Sequence, residues 1–315
     1  MLKYFNIERL EFLVTKKCSG GCKHCSVIID EGVLDNSFID FDIIKQFIEF
    51  ISINFNIKSI MTYGGEPLLY PEITANIHEI GKNCGIKNRE IITNGYFTNN
   101  EDLIRVTVKK IIESGVNEIL LSVDAFHQEI IKINYVEIFI KNVISFKFEN
   151  IKIHPSWVVS EESDNFYNNK TRNIIESISK YGIKTSKGNN IVPSGLAKKY
   201  LKKYYEKGDI DFSSHCGESK FSNSPYDVKS LRVQPNGNIN ICRGLVIGNV
   251  FNEKIDDILL RYNPENNNII SILSNQGPIG LFHFLEENGE KINIEHYYNS
   301  CDLCTDCIKK INKLI

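Results

Sequence analysis

The sequence predicts an α/β protein: a partial (βα)6 barrel of the TIM type, followed by a small C-terminal α+β module. Up to about residue 200, short apolar runs alternate with longer segments of helical periodicity, which is typical of parallel strands joined by crossover helices. Polar motifs containing glycine or serine follow the first four apolar runs. Beyond that region a hairpin pattern and a second group of cysteines replace the alternation.

Each element is predicted from its hydrophobic pattern and its flanking turn residues. The predicted strands are 7–15, 58–63, 89–93, 117–123, 150–160 and 189–194, and the predicted helices are 40–55, 71–84, 101–114, 130–148 and 164–181. Pro71 suits a first helical turn, and Gly85 suits the end of that helix. The run 231–242 predicts a hairpin around Pro235, Asn236 and Gly237, and the basic tail predicts a helix. We expect a barrel domain at 1–207 and a metal-containing module at 208–315.

Composition narrows the class of protein. The 315 residues carry a formal net charge of −2, which gives no reason to expect binding to nucleic acid or to an anionic membrane. No apolar run reaches the roughly 18 to 20 residues of a membrane span, and the N-terminus lacks a signal-peptide pattern. We therefore predict a cytoplasmic protein, where thiols stay reduced. Its nine clustered cysteines then indicate metal binding or catalysis.

The first cysteine group lies in the loop after the first predicted strand. Cys18, Cys22 and Cys25 form a C-x3-C-x2-C motif, and glycines between them let the backbone wrap around a small cluster. Three thiolates leave one iron of a four-iron cluster without a protein ligand. Structural zinc is the alternative, with His24 as fourth ligand, although zinc usually takes two cysteine pairs and the adjacent Cys25 makes that geometry awkward.

This motif, followed by Gly64-Gly65-Glu66-Pro67 after the second strand, resembles the radical S-adenosylmethionine (SAM) superfamily over about residues 7–200. His24 stands where the family usually has an aromatic residue. The resemblance implies a [4Fe-4S] cluster that binds SAM at its open iron and cleaves it reductively to a 5′-deoxyadenosyl radical. It also implies an external electron donor such as flavodoxin or ferredoxin.

The resemblance extends to residues at the strand ends that would bind SAM. It assigns them as Gly64, Gly65, Glu66, Thr93, Asn94, Ser122, Asp124 and Gly195. Ser122 and Asp124 have an alternative interpretation as caps of the following helix. His127 either faces the barrel mouth and assists the substrate or a proton transfer, or is a capping or surface histidine.

The second cysteine group resembles SPASM/Twitch modules, because Pro235 and Gly237 precede Cys242 and an Ile-Gly-Asn segment follows. The resemblance implies one auxiliary [4Fe-4S] cluster, with the ligands Cys216, Cys242, Cys301 and Cys304. Cys307 is left over, and three roles stay open: a ligand in place of Cys301, a structural thiol, or a hydrogen-atom donor. A structural zinc site is an alternative for this module.

The cysteine layout is similar to that of radical SAM peptide epimerases, which implies a ribosomally synthesised peptide as substrate, epimerised, crosslinked or oxidised. Arg243 stands where some members carry a second cysteine, so Cys307 is the candidate donor. The alternatives are a small-molecule dehydrogenase with the same radical start and a noncatalytic iron–sulfur or zinc protein. No leader-binding domain fits before the first strand, so we expect the peptide to bind at the barrel mouth or to a separate protein. The basic segment 197–208 is either a helix that binds an acidic peptide or, as we prefer, a solvated amphipathic face.

Overall fold

The computed structural model describes residues 2–26, 40–205, 210–217 and 223–314. The strands are β1 (Phe5–Leu13), β2 (Ser59–Tyr63), β3 (Asn88–Thr93), β4 (Glu118–Leu121), β5 (Ile151–Ile153), β6 (Ser156–Val158), β7 (Lys184–Thr185), β8 (Asn189–Ile191), β9 (Val228–Val233), β10 (Asn238–Asn240) and β11 (Val246–Asn249). The helices are α1 (Phe41–Asn54), α2 (Pro71–Asn83), α3 (Glu101–Glu113), α4 (Ile133–Ser145), α5 (Phe166–Ile178), α6 (Leu196–Tyr200), α7 (Ile255–Arg261), α8 (Asn268–Gln276), α9 (Pro278–Glu287) and α10 (Ser300–Leu314).

One open sheet organises the molecule. Its strand order is β11-β10-β9-β1-β2-β3-β4-β5-β7. Neighbouring strands from β9 through β1 to β7 run parallel, whereas β10 pairs antiparallel with both β9 and β11. Among the described strands, β7 and β11 are the two edges and do not pair with each other. The predicted α/β class with a partial barrel is therefore confirmed.

The fifth and sixth predicted strands are wrong in detail, because the fifth is broken and the sixth is shorter than predicted. The run 150–160 forms β5 and β6, separated by His154 and Pro155, since proline cannot donate a backbone hydrogen bond to a ladder. The predicted strand 189–194 shortens to β8, and β7, which the sequence did not predict, precedes it. β5 pairs with β7 in the main sheet, while β6 and β8 form a separate two-stranded sheet.

The main helices lie where their periodicity predicts them, with two changes toward the C-terminus. The segment 197–208 is not one helix: α6 ends at Tyr200, a short 3-10 turn covers Lys202–Tyr204, and residues 206–209 lie outside the described part. The run of cysteines at 301–307 lies within α10 rather than before it.

Burial alternates along β1 and so defines the two faces of the sheet. Leu10 and Phe12 are fully buried on the helix-covered face, where Phe12 makes an edge contact with Phe47 of α1 at 6.0 Å. Arg9 and Glu11 point to the other face and form an ion pair at 3.1 Å. The apolar core beside β1 continues into α7, α8, α9 and α10. The predicted division at 207/208 stays a prediction, because sheet and core both continue across it.

In the described part of the chain, no helix combines the length and the apolar character required to span a membrane.

Candidate functional site

The first cysteine loop lies at the carboxyl end of β1. Cys22 is buried, Cys18 and Cys25 are half-buried, and a side chain added at Gly20 would lie 3.4 Å from the sulfur of Cys22 and 3.7 Å from that of Cys18. Burial raises the pKa of the Cys18 thiol to about 11 and that of Cys22 further still. Buried thiols of this kind lose their protons when they bind a cation, so the loop fits a cluster held by three cysteines.

The Gly64-Gly65 pair holds the β2 loop against the cysteine loop. The backbone N–H of Gly65 donates to the carbonyl of Thr15 at 2.7 Å, and that of Glu66 donates to the carbonyl of Lys17 at 2.9 Å. A side-chain carbon on Gly65 would lie 2.1 Å from the Lys17 oxygen, so only glycine permits this approach.

Glu66 connects the loops after β2 and β3. It is fully buried, and its carboxylate accepts from the Thr93 hydroxyl at 2.7 Å, the Asn94 backbone N–H at 2.8 Å and the Leu68 backbone N–H at 3.0 Å. Burial raises the pKa of Glu66 to about 7 despite these donors. In this structure the Glu66 carboxylate therefore holds the loops after β2 and β3 together through hydrogen bonds within the protein.

Asn94 extends the same network to the cysteine loop. Its side-chain amide nitrogen lies 3.6 Å from the Cys18 sulfur and 3.3 Å from the Ser19 hydroxyl. The end of β4 joins this network through Ser122, whose backbone N–H donates to the Thr93 carbonyl at 2.8 Å. The motifs after β1, β2, β3 and β4 thus form one connected rim.

The fully buried Asp124 pairs with the half-buried His127 after β4. One carboxylate oxygen of Asp124 accepts from the backbone N–H groups of Phe126 and His127, and the other accepts from Ser156 and lies 2.9 Å from the His127 Nδ1. Burial alone would raise the pKa of Asp124, but His127 holds it well below its usual range. Burial opposes charge on His127, yet Asp124 and Glu66 outweigh it and raise the His127 pKa. The Asp124 carboxylate thus caps the turn that follows it, in agreement with its capping interpretation.

His24 completes this corner. Its ring lies 5.0 Å from the ring of Phe126 and 5.0 Å from that of His127. Its Nδ1 is buried and has no hydrogen-bond partner among the described residues, and burial lowers the pKa of His24 to about 4. His24, Asp124 and His127 place ligand atoms within 4.8 Å of one another. Because the Asp124 oxygens already accept several hydrogen bonds, we interpret the trio as a polar network rather than a separate metal site.

The segment around Gly195 packs against the third cysteine. Gly195 adopts a positive φ of 56° at the start of α6, and the backbone N–H of Leu196 donates to the Cys25 carbonyl at 3.1 Å. This contact places Gly195, one of the predicted SAM-binding residues, beside the first cysteine loop.

The second cysteine group gathers around the start of α10. Cys304 is buried, and its thiol lies within electrostatic reach of all four other cysteines of this group, Cys242, Cys216, Cys301 and Cys307. Burial raises the pKa of both Cys304 and Cys242. The four predicted ligands are therefore neighbours, although they come from three separate parts of the chain.

Cys307 lies one turn further along α10 and is fully buried in the apolar core. Burial raises the pKa of its thiol to about 12, with Asp306 and Lys310 as the charged groups that affect it. Its surroundings are those of a packed core residue.

Sequence reasoning missed three contacts of this region: the buried Asp124–His127 pair, the bond between Arg243 and Ser194, and the ion pair between Lys198 and Asp302. The last two join residues 49 and 104 positions apart, so no local pattern could have indicated them. The first pair is local, and its signal was the i, i+3 spacing of Asp124 and His127 after a strand.

A three-cysteine loop at the carboxyl end of the first strand of an open parallel sheet, with strand-end motifs joined to it, defines a site for an iron–sulfur cluster that retains an open iron. The chain matches the radical SAM superfamily over residues 12–207, more than half of its length, and so it belongs to that superfamily. Membership indicates an enzyme and implies a [4Fe-4S] cluster, SAM and a source of electrons.

Two characterised relatives match parts of the chain. It is 26% identical over 159 residues to molybdenum cofactor biosynthesis protein 1 of Dictyostelium discoideum, covering 48% of this chain and 24% of the relative. It is 29% identical over 125 residues to GTP 3′,8-cyclase of Clostridium acetobutylicum, covering 39% and 37% respectively. The matches thus span about a quarter and a third of these relatives.

A solved structure supports the fold over the whole chain. Native anSMEcpe with bound AdoMet superposes with a TM-score of 0.52 and 12% identity, covering 98% of this chain and 100% of that one. At this identity the likeness concerns the fold alone.

Proposed function

We propose that this protein is a radical SAM enzyme that removes a hydrogen atom from a ribosomally synthesised peptide, leading to epimerisation, a crosslink or an oxidation. One observation carries the proposal: the strand-end motifs converge on the first cysteine loop, while the second cysteine module is hydrogen-bonded into the same sheet through β9. When bound together, the cluster and SAM supply a 5′-deoxyadenosyl radical as the hydrogen-abstracting species.

The chain's own residues would hold and orient these groups. Cys18, Cys22 and Cys25 would be the cluster ligands, and the predicted SAM contacts are Gly64, Gly65, Glu66, Thr93, Asn94, Ser122, Asp124 and Gly195. The hydrogen bonds from Thr93 and Asn94 keep Glu66 fixed in its loop, so its role in binding SAM would be to position the backbone of the Gly-Gly segment. Asp124 holds His127 by its Nδ1 and leaves the other ring nitrogen for a proton at the substrate.

The second module supports a SPASM/Twitch interpretation with one auxiliary [4Fe-4S] cluster. Its proposed ligands are Cys216, Cys242, Cys301 and Cys304, which lie near one another. Burial raises the pKa of the Cys301 thiol, and the nearby Arg243 guanidinium offsets part of that rise. Such a cation favours the thiolate state that a metal requires. Zinc is the competing metal, and iron and sulfide analysis of the purified protein distinguishes the two.

A peptide substrate suits the open barrel. Because β7 and β11 are separate edges of the sheet, the described strands do not form a closed ring around the mouth, and an extended chain can enter from the side. Flavodoxin or ferredoxin is the proposed electron donor. A cytoplasmic location agrees with the need for reduced thiols.

The relative named GTP 3′,8-cyclase favours a second candidate, in which the same radical start acts on a small molecule. This candidate includes the small-molecule dehydrogenase suggested by the sequence. Product analysis separates it from a peptide-modifying enzyme. A noncatalytic metal protein is the third candidate, and it predicts that no 5′-deoxyadenosine forms after anaerobic reconstitution and reduction with SAM.

The decisive experiment incubates the reconstituted protein in heavy water with a peptide encoded beside its gene, using Cys22→Ala as the variant without a complete cluster site. One deuterium gained at a backbone carbon indicates epimerisation, and loss of two hydrogens indicates a crosslink or an oxidation. Formation of 5′-deoxyadenosine with no change to the peptide would contradict the peptide proposal.

The same experiment examines Cys307 as hydrogen donor. Because the Cys307 side chain is fully buried, we expect Cys307→Ala to lower stability by about 1 to 2 kcal/mol and to leave product formation intact. If Cys307→Ala forms 5′-deoxyadenosine but no longer incorporates deuterium, Cys307 is the donor.

A further inference from the structure

The short segment 194–198 touches both cysteine groups. On the barrel side, the backbone N–H of Leu196 donates to the Cys25 carbonyl at 3.1 Å. Ala197 is fully buried in the small apolar cluster that contains Cys22, and Cys25 packs against the same cluster. The segment is therefore anchored directly to the first cysteine loop.

On the module side, two side-chain contacts hold the same segment. The Arg243 guanidinium, next to Cys242, donates to the Ser194 hydroxyl at 2.8 Å. The Lys198 ammonium donates to the Asp302 carboxylate at 2.8 Å and lies 4.1 Å from the centre of the Tyr297 ring. Asp302 lies between Cys301 and Cys304 in the first turn of α10.

The Lys198–Asp302 ion pair is better shielded from solvent than an ordinary surface ion pair. The exposed fraction of its side chains is 27% for Lys198 and 11% for Asp302, so water and salt screen the pair only in part. A charged hydrogen bond in such surroundings is stronger than one between neutral groups, and the Tyr297 ring adds a cation–π contact. The neighbouring Lys199 is exposed, and its ammonium lies over the ring of Tyr200 at 5.1 Å.

We propose that residues 194–198 form a bridge that couples the two cysteine sites, with Lys198 as its positioning residue. Displacement of α10 pulls on Lys198 and, through Leu196, on the Cys25 backbone. Coupling of this kind is reciprocal: SAM bound beside the first loop orders the start of α10, and order at α10 strengthens SAM binding. The inference uses the proposed function only in that SAM binds beside Cys25.

The test combines hydrogen exchange with SAM affinity in the full-length reconstituted protein. In the unaltered protein, SAM should slow amide exchange at residues 300–304. Lys198→Met and Asp302→Asn should abolish that slowing and weaken SAM binding by about 5-fold or more. Lys198→Arg should restore both properties, because it keeps the charge, and Lys199→Met should leave both unchanged.

Two results would overturn the bridge: SAM-induced protection at 300–304 that survives in Lys198→Met, or equal weakening of SAM binding by Lys199→Met. A protein that fails to bind SAM would refute the proposed function instead. Exchange in the metal-free protein then still tests the bridge, because Lys198→Met must speed exchange at both 194–197 and 300–304 while Lys199→Met does not.

Discussion

At the scale of single residues, the site depends on buried polar groups that satisfy one another. The Glu66 carboxylate accepts three hydrogen bonds, and the Asp124 carboxylate takes part in four. A buried carboxylate without such partners would be strongly destabilising. Glu66 and Asp124 therefore hold the loops that would surround SAM before any ligand arrives, which reduces the ordering required on binding.

The Asp124–His127 pair gives a prediction about pH. The folded pKa of His127 is raised, so its stabilisation is fully present below the unfolded pKa of about 6.5 and is lost as pH rises through the folded pKa. The folded pKa of Asp124 is lowered, so its stabilisation is present above about 3.9 and is lost as pH falls further. We expect the metal-free protein to lose stability as pH rises above about 6.5, as measured by urea unfolding.

His127→Gln is the matched control for that measurement. Glu66, whose pKa is raised to about 7 by burial, contributes a dependence of the same sign in both proteins. The difference between the two pH profiles therefore reports the charge on His127 together with its effect on the neighbouring Asp124 and Glu66 carboxylates. Parallel profiles would show that the histidine is not charged in the folded state.

At the scale of elements, the fold and the first site were largely predictable from sequence. The motif containing Cys18, the Gly64-Gly65 pair and the Thr93-Asn94 pair lie at the strand ends where the alternation of apolar runs put them. The break at Pro155 was missed because apolar residues continue on both sides of it, so that two short strands have the pattern of one long strand. Contacts such as Lys198 with Asp302 were beyond prediction, since they depend on how distant elements pack.

The close approach of the β2 loop to the cysteine loop predicts that Gly65 cannot be replaced without loss of activity. A methyl group on Gly65 would lie 2.1 Å from the Lys17 oxygen, so Gly65→Ala must push the two loops apart. A displacement near 1 Å can slow a reaction by about 100-fold, and we expect Gly65→Ala to slow formation of 5′-deoxyadenosine to that extent.

Gly21→Ala is the control within the same cysteine loop. A methyl group there would meet no atom of the described residues within 4 Å, so we expect its rate to remain within about twofold of the unaltered protein. If Gly65→Ala and Gly21→Ala slowed formation of 5′-deoxyadenosine equally, the loops would depend on the flexibility of glycine rather than on the close approach at Gly65.

At the scale of the whole molecule, the strands β9, β10 and β11 of the second module extend the same sheet that contains β1. β9 pairs with β1 in parallel, from Arg9 opposite Ser230 to Phe12 opposite Val233. On the inner face, Arg232 of β9 forms an ion pair with Glu11 of β1 at 3.1 Å. The two cysteine groups are therefore attached to one continuous sheet.

This architecture predicts that the barrel segment does not fold by itself. A fragment of residues 1–205 would expose the backbone edge of β1 and the part of its apolar core that α7 to α10 cover, and such an edge promotes aggregation. We expect the fragment to aggregate or to bind a hydrophobic dye, whereas the full chain, in which this surface is covered, binds little of the dye. Full-length Cys304→Ala is the control, because it removes a proposed metal ligand but keeps the sheet, and we expect it to remain folded. A monomeric fragment with native near-ultraviolet dichroism would instead show that residues 1–205 are an independent domain and that β9 adds little to the stability of β1.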